Sequence, residues 1–386
     1  NICHPTNSLN LFNLNILITG DFCPINRAED ALLNNAVFDQ NLSDLFHKAD
    51  LNITNLECPL THHNKAIEKS GPALKAGPKM VEALKSNHFN LVTLANNHIM
   101  DYGSQGLKDT IEVLDRENIS HVGAGKIKDE NNVFYYSQGG VKIAVINLCE
   151  NEWSTIPLNG YAANGFSEID AFYSINKARA KADNVIVIHH GGHEMYNLPS
   201  PRLKKALRFF VDCGADVVIN HHTHCISINE VYQDKPIYYS LGNFVFDNPG
   251  HKNSIWNYGM MVKLSIDSRK ISAQEFYFNQ FGDQAKVDLF DKAELPIDFE
   301  KLYDIFQDNK KLENHFKAFI KSKTRMYKTY LEPLKSKYYN ALVNRGIMPS
   351  LWHPKKRLVL NNLVRCESHR EILKSILSDE TSHTRQ

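Results

Sequence analysis

The chain has 386 residues, an apolar content of 42% and 44 Lys and Arg against 43 Asp and Glu, which suits one large globular domain with an appendage. No apolar run approaches the ~18 residues of a membrane span, and the start lacks the basic, apolar and small-residue segments of a signal peptide. Seven scattered cysteines without a CxxC pair indicate neither a disulfide framework nor a thiolate zinc site. The expectation is a reducing compartment, cytoplasmic or at a membrane surface. The first residue is Asn1 rather than methionine, so an upstream leader or anchor stays open. The even total hides an asymmetry. From Lys301 onward there are 18 basic against 8 acidic residues, a net of +10, and the first 300 residues carry 26 against 35, a net of −9.

In chain order, Asn1 to Asn13 is polar and irregular, and Ile16 to Thr19 reads as a first strand ending on Gly20 and Asp21. Gly-Asp is ordinary turn chemistry when it stands alone. Here it does not, because a second strand, Leu51 to Thr54, again delivers an acid, Glu57, just past its end. Thr61 to Gly77 is polar and rich in Gly and Pro, a loop expected to lie over the site, and Pro78 opens a helix. A third strand, Leu91 to Leu94, ends on Asn96, Asn97 and His98, followed by Asp101, and Ser104 fits the N-cap of the next helix. Val133 to Tyr136 and Val141 to Leu148 read as a hairpin of the second half of the sheet. Glu150 to Phe166 lacks a clear period and reads as a substrate-side loop.

The densest stretch runs from Val185 to Asp247. A β-branched run, Val185 to Ile188, breaks at His189, His190, Gly191, Gly192, His193 and Glu194. A helix from Pro201 to about Gly214 follows, and a strand from Asp216 to Ile219 delivers His222 and His224 from its end, where open α/β sheets present ligands. Tyr239 to Phe244, with Gly242 and Asn243, is expected to shape the rim of the same cavity. Strands near 226–231, 259–266 and 271–278 are expected to complete an antiparallel second sheet. Beyond Leu302 the pattern is helical and basic.

Asp21, Glu57, Asn97, a histidine at 189 or 190, His222 and His224 all follow strands and all are oxygen or nitrogen ligands. Together they spell a binuclear site. A bridging carboxylate can hold two divalent ions roughly 3.5 to 4 Å apart and so clamp a phosphoryl group and acidify a water. Mixed imidazole and carboxylate ligation suits Mn, Fe or Zn better than Ca. His98, beside a ligand asparagine but uncommitted, could protonate a leaving oxygen.

These motifs resemble the poly-γ-glutamate capsule biosynthesis proteins of the CapA type, within the calcineurin-like metallophosphoesterase superfamily. The resemblance rests on Gly20-Asp21, Asn55-Leu56-Glu57-Cys58-Pro59, Ala95-Asn96-Asn97-His98 with Asp101 and Gly103, the His-x-Gly-x-Glu pattern, Gly214-Ala215-Asp216 before the His-x-His pair, and Tyr239 to Phe244. It implies an α/β fold, a four-layer αββα sandwich over residues 14–284, with a basic helical extension over 285–386. It also implies His190 rather than His189 as ligand, Asp101 and Glu194 beside His98 as catalytic candidates, and two divalent metal ions. Two departures stand out: Cys23 where the superfamily usually has a histidine after Asp21, and Asn220 where it has glycine. The first leaves one metal with fewer ligands unless Cys23 helps. The implied function is a metal-dependent hydrolase acting on a phosphoester or anionic polymer in surface-polymer synthesis; the alternative is a non-catalytic accessory protein. Partners would be a polymer synthesis complex or a membrane surface reached through the basic tail, with no nucleic acid expected. The favoured reading of the tail is nonetheless helices packed on the domain with solvated lysines, and its removal from Lys301 onward is expected to leave the metal content unchanged.

Overall fold

Leu14, Ile16 and Ile18 of the first strand point into one apolar layer and Leu17 into another, because successive side chains leave a strand on opposite faces. Strands apolar on both faces need cover on both, and the chain supplies it as two stacked sheets with helices outside. The computed structural model describes residues 13–34, 36–127, 132–267, 270–331, 337–349 and 354–383.

The strands are β1 (Leu14–Cys23), β2 (Leu51–Leu56), β3 (Leu91–Thr93), β4 (Ser120–Val122), β5 (Ala124–Lys126), β6 (Val133–Gln138), β7 (Val141–Cys149) and β8 (Tyr161–Ala163). There follow β9 (Asn184–His190), β10 (Val217–His221), β11 (Asn229–Tyr232), β12 (Lys235–Tyr238), β13 (Asn243–Phe246), β14 (Tyr258–Ile266), β15 (Ile271–Gln280) and β16 (Val287–Phe290). The first sheet has the order β16-β15-β14-β1-β2-β3-β4, with β13 beside the end of β1; the second runs β11-β12-β10-β9-β7-β6. β1 to β4 are parallel, as are β7, β9, β10 and β12, so each set ends on one edge of its sheet. β14 and β15 are antiparallel, as their alternation suggests, but they extend the first sheet beside β1 and not the second. Periodicity identifies a strand without naming its neighbour.

Ile53, Ile143, Ile188 and Ile219 help to fill the space between the sheets. Outside the first sheet lie α1 (Arg27–Leu33), α2 (Gln40–Lys48), α3 (Val81–Ser86) and α4 (Gly103–Arg116). Outside the second lie α5 (Glu168–Arg179) and α6 (Pro201–Asp212), whose Leu203, Leu207 and Phe210 turn inward at helical spacing. The result is an α/β, four-layer αββα sandwich. The helix expected to be capped by Ser104 starts two residues earlier, with Tyr102 in the N-cap place and no side-chain cap.

The basic tail forms α7 (Phe299–Gln307), α8 (Asn309–Leu331), α9 (Lys337–Asn344), α10 (Pro354–Arg365) and α11 (Glu367–His383). Leu302, Phe306, Leu312, Phe316, Leu363 and Ile372 are buried in the same apolar layer as α5 and α6. As the reading of packed helices expects, this segment is packed on the domain, and α11 reaches the loops that carry the site. Among the described residues no helix is long and apolar enough to cross a membrane.

Candidate metal centre

Six side chains leaving the strand ends converge. Asp21 is near the tip of β1 and Glu57 follows β2; Asn97 follows β3, His190 ends β9, and His222 and His224 follow β10. His190 Nε2 lies 3.1 Å from Asn97 Oδ1, 3.1 Å from His222 Nδ1 and 3.5 Å from Glu57 Oε1. On the other side, His224 Nδ1 is 3.5 Å from Asp21 Oδ2 and its Nε2 3.8 Å from Glu57 Oε1. The donors therefore fall into two ligand groups, Glu57-His190-His222 and Asp21-Glu57-His224, which share Glu57.

Both Glu57 oxygens are buried and have no hydrogen-bond partner. Burial, and then repulsion from Asp21 and Glu194, pushes its carboxyl well above the ordinary range. A buried acceptor left empty costs about 1–3 kcal/mol, more when charged. Donors of this kind around an orphaned carboxylate fit divalent cations. Asp21 differs. Burial alone would raise its carboxyl, but hydrogen bonding with His224, the nearby His221 and Asn55 Nδ2 at 2.7 Å pull it below its usual range. Burial, then the neighbouring His222, drives the His190 imidazole well below its ordinary value, so the neutral ring presents one nitrogen lone pair, as a ligand must.

The backbone makes room for this. A Cβ on Gly20 would stand 2.0 Å from the Gly242 carbonyl oxygen, and Asp21 N donates to that oxygen at 3.1 Å. Gly242 has φ +71, where a side chain would be strained. The Gly-Asp turn and the Gly242 turn thus bring β1 and β13 together at the site. Asn243 Oδ1 then meets His224 Nδ1 at 2.9 Å, and Trp256 packs its ring 4.5 Å from that imidazole. His222 and His224 have φ of 89° and 54°, a left-handed backbone uncommon outside glycine and concentrated at functional sites.

Strand alternation separates the neighbouring histidines. His190 faces the cluster, whereas His189 faces Phe166 and Phe210 and meets Asn220 Oδ1 at 2.6 Å. Asn220, in place of the usual glycine, thus gives the buried His189 its partner. Cys23 packs in the apolar layer with Phe22 and Cys58 and enters neither ligand group.

His98 Nδ1 is 2.7 Å from Asp101 Oδ2, and Lys69 Nζ, from the 61–77 loop, bonds Asp101 Oδ1 and lies 3.4 Å from His98 Nδ1. That loop does lie over the site. Glu194 is open to solvent at the cluster; its surroundings disfavour the charge, but His224, His222 and His98 draw its carboxyl below the ordinary range.

Several further residues have roles that reading the chain alone does not assign, Asn55 among them although it lies inside a quoted motif. Asn55 holds Asp21 and also approaches His190 Nδ1 at 3.3 Å. Glu150 accepts from Arg202 and from Ser368 N, the latter at 3.1 Å. Glu367 holds Asn151 at 2.8 Å through both N and Nδ2, and Glu371 bonds Ser200 Oγ at 2.7 Å. Each of these last contacts ties α11 to a strand-end loop.

Residues 15–248 match the family described as bacterial capsule synthesis protein PGA_cap. A capsule biosynthesis protein CapA of Bacillus anthracis is 37% identical over 181 residues, 45% of this chain and 44% of that protein. The PGA biosynthesis protein CapA of Bacillus subtilis is 34% identical over 218 residues, 54% of this chain and 56% of that protein. The matched part is thus about half the length of these curated relatives. A solved structure titled as a novel phosphatase from Mycoplasma pneumoniae aligns with 76% of this chain and 99% of its own at 17% identity and a TM-score of 0.45, too loose a likeness to bear on the site. The family match spans more than half of the chain and contains all six clustered side chains, and the protein belongs to the bacterial capsule synthesis family PGA_cap.

Proposed function

We propose that this chain is a metal-dependent phosphoester hydrolase serving the synthesis or release of poly-γ-glutamate or a related anionic surface polymer. The observation that carries the reading is Glu57, buried, unpartnered and shared by two ligand groups. Glu57, His190 and His222, with Asn97, would hold one divalent ion, and Asp21, Glu57 and His224 the other, with Mn, Fe or Zn the fitting metals. Such ions supply positive charge to a phosphoryl group and acidify water.

The chain's own residues do the rest. Asp101, itself held by Lys69, fixes the His98 ring through Nδ1–H, which leaves Nε2 for the leaving oxygen. Protonation there by an oriented side chain typically contributes about 100 to 10,000-fold. Glu194 stands at the open side, where it can accept a hydrogen bond from an attacking water. A synthesis complex or a membrane surface would be met by the exposed lysines of the tail.

A second reading has one observation in its favour. With Cys23 turned into the apolar layer, the Asp21 group has three protein ligands among the described residues, and a weakly held second ion would suit a non-catalytic accessory protein. Metal analysis of the purified chain, then a phosphoester panel with added Mn, separates the two. Turnover that depends on the metal supports the hydrolase; a metal-loaded chain inert across the panel overturns it.

A further inference from the structure

We propose that Glu152, Cys366 and His369 form a third cation site, separate from the Glu57 centre and of the zinc type, at the seam between the loop after β7 and the C-terminal helices. A carboxylate oxygen, a sulfur and an imidazole nitrogen from these residues all lie within 4.8 Å of one another. Cys366 joins α10 to α11 with the helical bonding continued through it, from Cys366 N to Asn362 O and from Arg370 N to Cys366 O. His369 therefore stands about one turn further on, on the same face. One thiolate, one imidazole and one carboxylate form a borderline-soft set that suits tetrahedral Zn with a fourth position open.

The surroundings are those of a built site. Tyr327 Oη lies 2.6 Å from His369 Nδ1, which fixes the ring and leaves Nε2 facing Glu152 Oε2 at 3.9 Å. Asn362 Nδ2 donates to Glu152 Oε2 at 3.2 Å. Such outer partners orient metal ligands. Cys366 is buried, whereas the His369 side chain is 36% exposed and gives an ion a way in. The Cys366 thiol now faces Glu150 Oε2 at 3.5 Å. On binding, its S–H bond breaks, the proton passes to solvent and the sulfur lone pair forms the bond to the metal, with no change of oxidation state.

This site shares no residue with the Glu57 centre, although the second Glu152 oxygen lies 3.9 Å from His222 Nε2. Both tail ligands lie beyond the family match. The site would thus pin the tail to the domain next to the candidate centre, whether or not that centre is catalytic.

The test uses the full chain, stripped with a chelator and reloaded with cobalt(II) or zinc. Cobalt should give a near-ultraviolet thiolate charge-transfer band that is lost in Cys366→Ser, weakened or lost in His369→Gln, and retained in His190→Ala. Zinc per chain should fall by one equivalent in Cys366→Ser and in His369→Gln. His369 is partly exposed, so its variant keeps the test valid should Cys366→Ser fold poorly. The proposal is overturned if no band forms, if the band survives Cys366→Ser or belongs to Cys23 or Cys58, or if both tail variants bind as much zinc as wild type.

Discussion

His190 Nε2 and His222 Nδ1 face each other at 3.1 Å at the ends of the adjacent parallel strands β9 and β10. Two imidazole nitrogens so close cannot both carry protons toward one another, whereas two ligand bonds of about 2.0–2.1 Å to one ion span such a gap. His190→Ala and His222→Ala should each lose at least one equivalent of bound Mn or Zn, measured by mass spectrometry after dialysis. Full retention in both would remove this pair from the ligand set.

Glu57 should behave unusually when its carboxylate is neutralised. Without metal it is a buried acid with no hydrogen-bond partner among the described residues, and its folded carboxyl lies above the unfolded value. The protonated form therefore favours folding, and that stability is lost as pH rises through the folded value. Glu57→Gln removes the buried charge. In chelator at pH 7 the variant should be more stable than wild type by roughly 1–3 kcal/mol in denaturant unfolding, and with metal present it should bind neither ion tightly. A metal-free variant less stable than wild type would mean that Glu57 has a partner in solution.

How far the chain could be read on its own follows from what each signal encodes. Asp21, Glu57, Asn97, His222 and His224 each follow an apolar run, so their convergence was legible from strands ending on one edge. The choice of His190 over His189 came from the family pattern, and strand alternation supplies its physical cause. Asn55, Lys69, Glu150 and Glu152 were missed because their roles depend on partners 30 or more residues away, as with Lys69 and Asp101 or Glu150 and Arg202. The tail was legible in part. Its charge is conspicuous in composition, and Phe306, Leu312 and Phe316 read as apolar anchors, but the layer that they cover shows only in packing.

Acid should weaken the fold through His189. Burial foremost pushes this imidazole down to about 4, below its unfolded value of about 6.5. A histidine held neutral contributes stability that is present above the unfolded value and is lost as pH falls toward the folded one. For metal-free protein the expected loss between pH 7 and pH 4 is about 3 kcal/mol from this group, at 1.36 kcal/mol per unit. His189→Gln, which keeps a donor for Asn220, should show a flatter pH dependence in chelator. An unchanged slope would assign the acid sensitivity to other groups.

Deletion from Lys301 onward should not leave a soluble, metal-competent domain. It would strip cover from the layer that holds Leu203, Leu207 and Phe210 and leave Arg202 without Glu371 and Ser368. Aggregated or insoluble product is expected, with unfolding detected by dye binding in any soluble fraction. A monomeric truncation with wild-type metal content would show that the tail helices are dispensable to the site.

His98 separates the hydrolase from the accessory reading. Burial first, and then Lys69, lowers its imidazole below the ordinary value, while Asp101 opposes the shift. The Nδ1 edge is committed to Asp101, so donation to a leaving oxygen must come from Nε2, and with Nδ1–H in place this requires the protonated ring. The rate should therefore fall as pH rises through the His98 value. Lys69→Met removes a neighbouring positive charge and should move that falling limb to higher pH. His98→Ala should keep its metal and fold yet lose about 100 to 10,000-fold in kcat, whereas His222→Ala should lose metal and turnover together. Metal content and pH–rate profiles on one phosphoester that the wild type hydrolyses make the comparison. If His98→Ala turns over like wild type, or if Lys69→Met leaves the limb where it was, His98 is not the acid and the proposed hydrolytic mechanism is lost with it.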